Sequence, residues 1–108
     1  GADLEASDAF GYTALLIAAD KGHEELARLL LDRGADLEAS HVDTYHWTAL
    51  LLAADNGHDE LVRLLLDRGA DLEASDGLNN TALLLAVAHG HEEVVRLLLD
   101  RGADLEAS

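Results

Sequence analysis

The heptapeptide Gly-Ala-Asp-Leu-Glu-Ala-Ser begins at Gly1, Gly34, Gly69 and Gly102, and the text between its copies recurs with it. The spacings are 33, 35 and 33 residues. A period of that length constrains the fold more than any single residue does. One unit is too small to bury its own apolar face, so neighbouring units must stack into a continuous core. The expected organisation is a single domain over 1–108, with units at 1–33, 34–68 and 69–101 and a partial fourth at 102–108. The first residue is Gly, and a piece cut from a longer chain is expected.

Inside each unit the order is fixed: the heptapeptide, a variable stretch, "TALL", a short apolar segment, "GH", and an acidic-apolar run ending "LLLDR". The stretch 13–20, TALLIAAD, predicts a short helix. Thr13 supplies an N-cap hydroxyl, Ala and Leu are strong helix formers, and Gly22 can take the left-handed conformation of a C-cap. The stretch 23–33, HEELARLLLDR, predicts a second helix. Glu24 and Glu25 sit at its positive end and Arg28 and Arg33 toward its negative end, and Glu24 and Arg28 are spaced to pair. Leu26, Leu29 and Leu30 form an apolar stripe, and Gly34 closes the helix.

These residues carry a family resemblance. Thr, "GH", "LLL" and "GAD" at this spacing in all three units resemble the ankyrin repeat pattern, over the whole chain. Ala14, Ala49 and Ala82 stand where that pattern usually has Pro, and Leu16, Leu51 and Leu84 where it usually has His. The resemblance implies an all-α repeat solenoid of helix-turn-helix units joined by β-hairpin-like fingers. It also implies a concave face, built from fingers and first helices, that holds protein partners. The uniformity of the helices is similar to that of designed ankyrin repeat binding proteins, which makes an engineered origin the expectation.

Three units on one scaffold form an internal comparison. They differ in the fingers and at the end of the first helix. The four aromatic residues, Phe10, Tyr12, Tyr45 and Trp47, all fall in the fingers. The middle finger is two residues longer and brings His41, Val42, Asp43 and His46 alongside Tyr45 and Trp47. Exposed Trp and Tyr dominate binding energies when a partner covers them, so Tyr45 and Trp47 are the expected anchors. Phe10, Tyr12, Leu78 and Asn80 surround them in the neighbouring fingers. Asp20, Lys21, Asp55, Asn56 and His89 are expected to contact the partner from the helix ends. Asn79 replaces the turn Gly found at Gly11 and tolerates the left-handed region. The middle finger has no Gly; its extra length must supply the reversal another way, and Asp43 can bond to its own following backbone.

Chemistry is not expected. No Cys is present, which removes thiolate catalysis and thiolate metal sites. Ser occurs only within the heptapeptide. "HEELA" and "HDELV" have Ala27 and Val62 where a zinc-protease helix has its second His. His23, His58 and His91 recur at the repeat period, which marks them as structural. A zinc ion needs about four ligands; His41, Asp43, His46 and His89 are one imaginable set, but contact with a partner suits the finger histidines better. The expected function is therefore a non-catalytic protein-binding module with no metal and no cofactor. Alternatives are a repeat scaffold for stability or assembly without a target, or a fragment of a natural regulatory ankyrin protein.

The net charge is −15, of which the four heptapeptides supply −8. Such a surface repels phosphate backbones and anionic lipid, so neither nucleic acid nor membrane is an expected partner. A soluble chain compatible with the cytoplasm or with recombinant production is expected. Neither terminal unit carries a polar outer face, which leaves end-to-end self-association through the uncapped ends as a further expectation.

Overall fold

Each unit starts on a threonine. The hydroxyls of Thr13, Thr48 and Thr81 accept from the amides of Leu16, Leu51 and Leu84 at 3.4, 3.4 and 3.3 Å. Each threonine is extended and so turns the chain into a helix. The computed structural model describes residues 5–6, 12–40 and 46–105. They contain six helices: α1 Ala14–Lys21, α2 Glu24–Asp32, α3 Ala49–Asn56, α4 Asp59–Asp67, α5 Ala82–Ala88 and α6 Glu92–Asp100. The boundaries expected from sequence agree within a residue or two.

The helices pair as α1–α2, α3–α4 and α5–α6, and the pairs stack, α1 on α3 on α5 and α2 on α4 on α6. The result is an elongated solenoid, 42 × 27 × 19 Å. The first helices are apolar nearly all round, and α3, covered on both sides by α1 and α5, is buried from Ala49 to Ala54. Leu16 and Leu51, which stand in the usual histidine position, are fully buried. The second helices are amphipathic. Leu61, Leu65 and Leu98 face the core, while acids and arginines face out. Glu24 and Arg28 pair across one turn at 2.7 Å, as their spacing predicts.

The Gly-His dipeptide is where one unit grips the next. Gly22 and Gly57 cap α1 and α3 in the left-handed conformation, both at φ 75°. His58 and His91 precede α4 and α6 but make no side-chain cap to their own helices. Each reaches back one unit instead, His58 Nε2 to the Asp20 carbonyl at 3.1 Å and His91 Nε2 to the Asp55 carbonyl at 2.8 Å. The imidazole passes so close to the preceding glycine that a Cβ on Gly22 or Gly57 would lie 2.7 Å from ring atoms. Glycine is thus required twice over, for φ and for the neighbour's ring.

Two further contacts repeat along the stack. Arg68 pairs with Asp32 and Arg101 with Asp67, both at 2.6 Å. The carboxylates of Glu5, Glu38 and Glu73 accept from the amides of Asp36, Asp71 and Asp104 at 3.0, 2.9 and 2.9 Å. Every loop therefore donates to the loop before it, and no described contact of this kind skips a unit. The second helices end on arginine caps, each followed by a left-handed glycine, Gly34, Gly69 or Gly102.

Candidate functional site

The second and third fingers are closed at their bases. Ser40 bridges Thr48 and Ser75 bridges Thr81 in antiparallel pairing, just before α3 and α5 begin. Counted backwards from the capping threonine, the three fingers share a register. Gly11, His46 and Asn79 fall at one position, and Asp8, Asp43 and Asp76 at another. His46 and Asn79 are the two non-glycine residues with positive φ among those described, 53° and 65°. Asn79 turns the third finger as expected. In the longer finger a left-handed residue sits at His46, a position occupied in the first finger by glycine. Asp43, named from sequence as able to bond its own following backbone, lies outside the described residues, as do Phe10, His41, Val42 and Tyr45.

Asp76 organises the third finger. Its carboxylate accepts from the Leu78 amide at 2.8 Å, the Asn80 amide at 2.9 Å and the Asn80 side chain at 3.4 Å. The Trp47 indole N–H donates to it at 2.7 Å from the neighbouring finger. Asp76 is only 5 % exposed. Burial on its own pushes its carboxyl up. The donors at Asn80, Trp47 and Leu78 together outweigh that and hold it below the ordinary value of 3.8. Sequence reasoning did not single out Asp76. The signal that it is a turn hub was the backward register from the threonines, which aligns an aspartate in every finger.

Trp47 is half-buried and packs against the core cluster. With its indole N–H given to Asp76, it ties the second finger to the third. Tyr12, at the matching place in the first finger, is also half-buried against the core. Asn80 completes that row, half-buried within its own turn. His46 and Leu78 are the exposed residues of the described finger tips in the expected set.

The helix ends form a second row. Asn56 Nδ2 donates to the Asp20 carboxylate at 3.1 Å and to the Leu52 carbonyl at 3.0 Å. His89 Nε2 lies 2.7 Å from Asp55 Oδ1, and the His89 and His91 rings stack at 5.8 Å between centroids. Asp20, Asn56, Asp55 and His89 are thus linked pairwise between adjacent units. Lys21 is exposed beside them. The two rows meet at a depression of about 260 Å³ lined by Tyr12, Ile17, Asp20 and Lys21. A finger residue and a helix end share one surface there. Among the described residues no group of His, Asp and Glu is placed to hold a metal ion, and no helix is long and apolar enough to cross a membrane.

Comparison with known proteins places this architecture. A family model described as ankyrin repeats, in three copies, matches residues 1–76 and 39–108, which together cover the whole chain. The chain belongs to the ankyrin repeat family. A curated relative, "Protein fem-1 homolog A-like" from Mus musculus, is 53 % identical over 36 residues. That stretch is 33 % of this ankyrin chain and 6 % of the mouse protein, so the likeness is about one repeat long. Members of the family are generally protein-interaction modules, and this one has the family's fold with no cysteine.

Proposed function

We propose that this ankyrin chain is a non-catalytic module that holds a protein or peptide on the face formed by its fingers and first helices. The observation that carries the proposal is the depression at Tyr12, Ile17, Asp20 and Lys21, where the two variable regions of an otherwise uniform scaffold adjoin. A surface on which the variation between units is concentrated suits recognition by shape and burial. His46, Leu78 and Lys21 present side chains to a partner. Trp47 and Tyr12 contribute from half-buried positions, and the finger residues Phe10, His41, Val42, Asp43 and Tyr45 extend the surface in this reading. The uniform helices and the absence of cysteine support an engineered origin.

A scaffold without a target is the second reading. It is favoured by the Trp47–Asp76 hydrogen bond, which gives the indole an internal task. Affinity capture with the immobilised chain, repeated with a His46→Ala/Leu78→Ala variant, separates the two. Both side chains are exposed, so the variant retains its fold. Recovery of one stoichiometric partner, weakened at least about tenfold in the variant, supports a binding face. Capture indifferent to the variant, or no partner at all, overturns it. The uncapped terminal units supply a separate proposed surface, for association between copies.

A further inference from the structure

We propose that the Asn56-Gly57 dipeptide is a deamidation site held in check by the joint between the first and second units, and that its reaction loosens the stack on both sides of the middle unit.

The chain has three asparagines, Asn56, Asn79 and Asn80, and of these Asn56 alone precedes a glycine. That order decides the chemistry. The nitrogen of the following residue bonds to the asparagine side-chain carbonyl carbon. The side-chain amide group leaves as ammonia, taking that nitrogen's proton, and a five-membered succinimide remains. Water then opens one of the two carbonyl–nitrogen bonds of the ring. The product is an aspartate, or an isoaspartate whose backbone runs through the side chain and is longer by one methylene. Glycine favours the attack because it has no Cβ to crowd the ring and turns freely in φ and ψ. The matching dipeptides of the other units, Lys21-Gly22 and His89-Gly90, have no such reaction.

Asn56 is exposed and is the last residue of α3, so only one turn has to open. Two sets of contacts keep that turn shut. The Gly57 N–H is shared between the Ala53 and Ala54 carbonyls and must leave both before its nitrogen can attack. Asn56 Nδ2 donates to the Leu52 carbonyl at 3.0 Å, the Asp20 carboxylate at 3.1 Å and the Asp20 carbonyl at 3.3 Å. The joint between units therefore fastens the very group that has to rotate and depart.

The same dipeptide touches both neighbours. Asn56 reaches the first unit at Asp20, whose carbonyl also meets His58 Nε2 at 3.1 Å. Gly57 lies against the third unit, where a Cβ would stand 2.7 Å from the His91 ring. An aspartate at position 56 sets a carboxylate against three oxygens that had received a donor, one of them the Asp20 carboxylate. An isoaspartate also shifts Gly57 from the place against which His91 packs. One reaction thus acts on both joints.

The test holds the full chain folded at mildly alkaline pH, beside a sample unfolded in urea, and follows the exchange of NH2 for OH by peptide mapping and mass spectrometry. Asp20 is exposed, so Asp20→Ala retains its fold, which circular dichroism verifies. Reaction should come first at Asn56, and at least about tenfold more slowly in the folded chain than in urea. Folded Asp20→Ala should react about fivefold faster than the parent, the weight of one partly exposed hydrogen bond. Asn56→Asp should lower the urea midpoint below that of Asn56→Ala, and by less when Asp20 is also alanine. Reaction that begins at Asn79 or Asn80, equal rates folded and unfolded, or an Asp20→Ala rate matching the parent overturns the protected site. An Asn56→Asp chain as stable as the parent overturns the loosening of the stack.

Discussion

Replacing Asp76 tests how the fingers are held. Asp76→Ala removes the acceptor for four donors. The Leu78 and Asn80 amides lie near the surface, where water can replace the carboxylate, so each should cost only a few tenths of a kcal/mol. The Trp47 indole, half-buried at 2.7 Å, cannot be resolvated without moving. A hydrogen bond to a charged group contributes about 1.5–3 kcal/mol, and partial exposure favours the lower half of that range. The expected loss is about 2–3 kcal/mol, a fall in Tm on the order of 10 °C. Asp76→Asn keeps the shape and one acceptor oxygen but loses the charge, and should cost about 1 kcal/mol. Urea unfolding followed by circular dichroism measures both, and Trp47, the single tryptophan, reports the site by fluorescence.

The pH dependence has a definite sign. The folded Asp76 carboxyl titrates below its ordinary 3.8. Its contribution is therefore complete above that value and is lost as pH falls through the folded value. Asp76→Asn should flatten the acid side of the stability curve and leave its neutral side parallel to the parent. A double-mutant cycle with Trp47→Phe should give a coupling of about 1–2 kcal/mol. A coupling under about 0.3 kcal/mol would refute the argument that Trp47 joins the fingers through Asp76.

Two other perturbations probe the grip between units, each read by urea unfolding. Gly57→Ala places a Cβ against the His91 ring at φ 75° and should cost more than about 2 kcal/mol, whereas Gly90→Ala, at φ 70° with open space around it, should cost about 1 kcal/mol; equal losses would mean that the ring contact does not matter. Leu65→Ala, at a fully buried position, should cost about 2–5 kcal/mol, and Arg68→Ala, in a partly exposed ion pair, less than about 1 kcal/mol.

The scaffold was legible because its signals are local and repeated three times. Threonine caps, left-handed glycines and apolar stripes act within a few residues of themselves, so helix positions followed from letters alone. The contacts between units were less legible. His58 and His91 were identified as structural from their period, but nothing in a single unit shows that they reach the preceding one. Asp76 was hidden for a related reason. Read forward from the heptapeptide, the extra length of the middle finger breaks the alignment, and the shared aspartate is visible only when counting backwards from threonine. Tyr12 and Trp47 were placed in the fingers correctly, but their half-burial depends on packing against a core that adjacent units build together.

The bridges at Ser40–Thr48 and Ser75–Thr81 have a consequence for how such a chain can change. Each pins the base of a finger, so a change of length beyond it need not move the helices. Closing seven residues rather than five should cost only about 0.3 kcal/mol of chain entropy. Insertions above the bridge are therefore nearly silent for the scaffold, while the same insertion below it would shift every threonine cap out of phase with its stack. Length variation is channelled into the fingertip, and the repeat beneath it can keep its period.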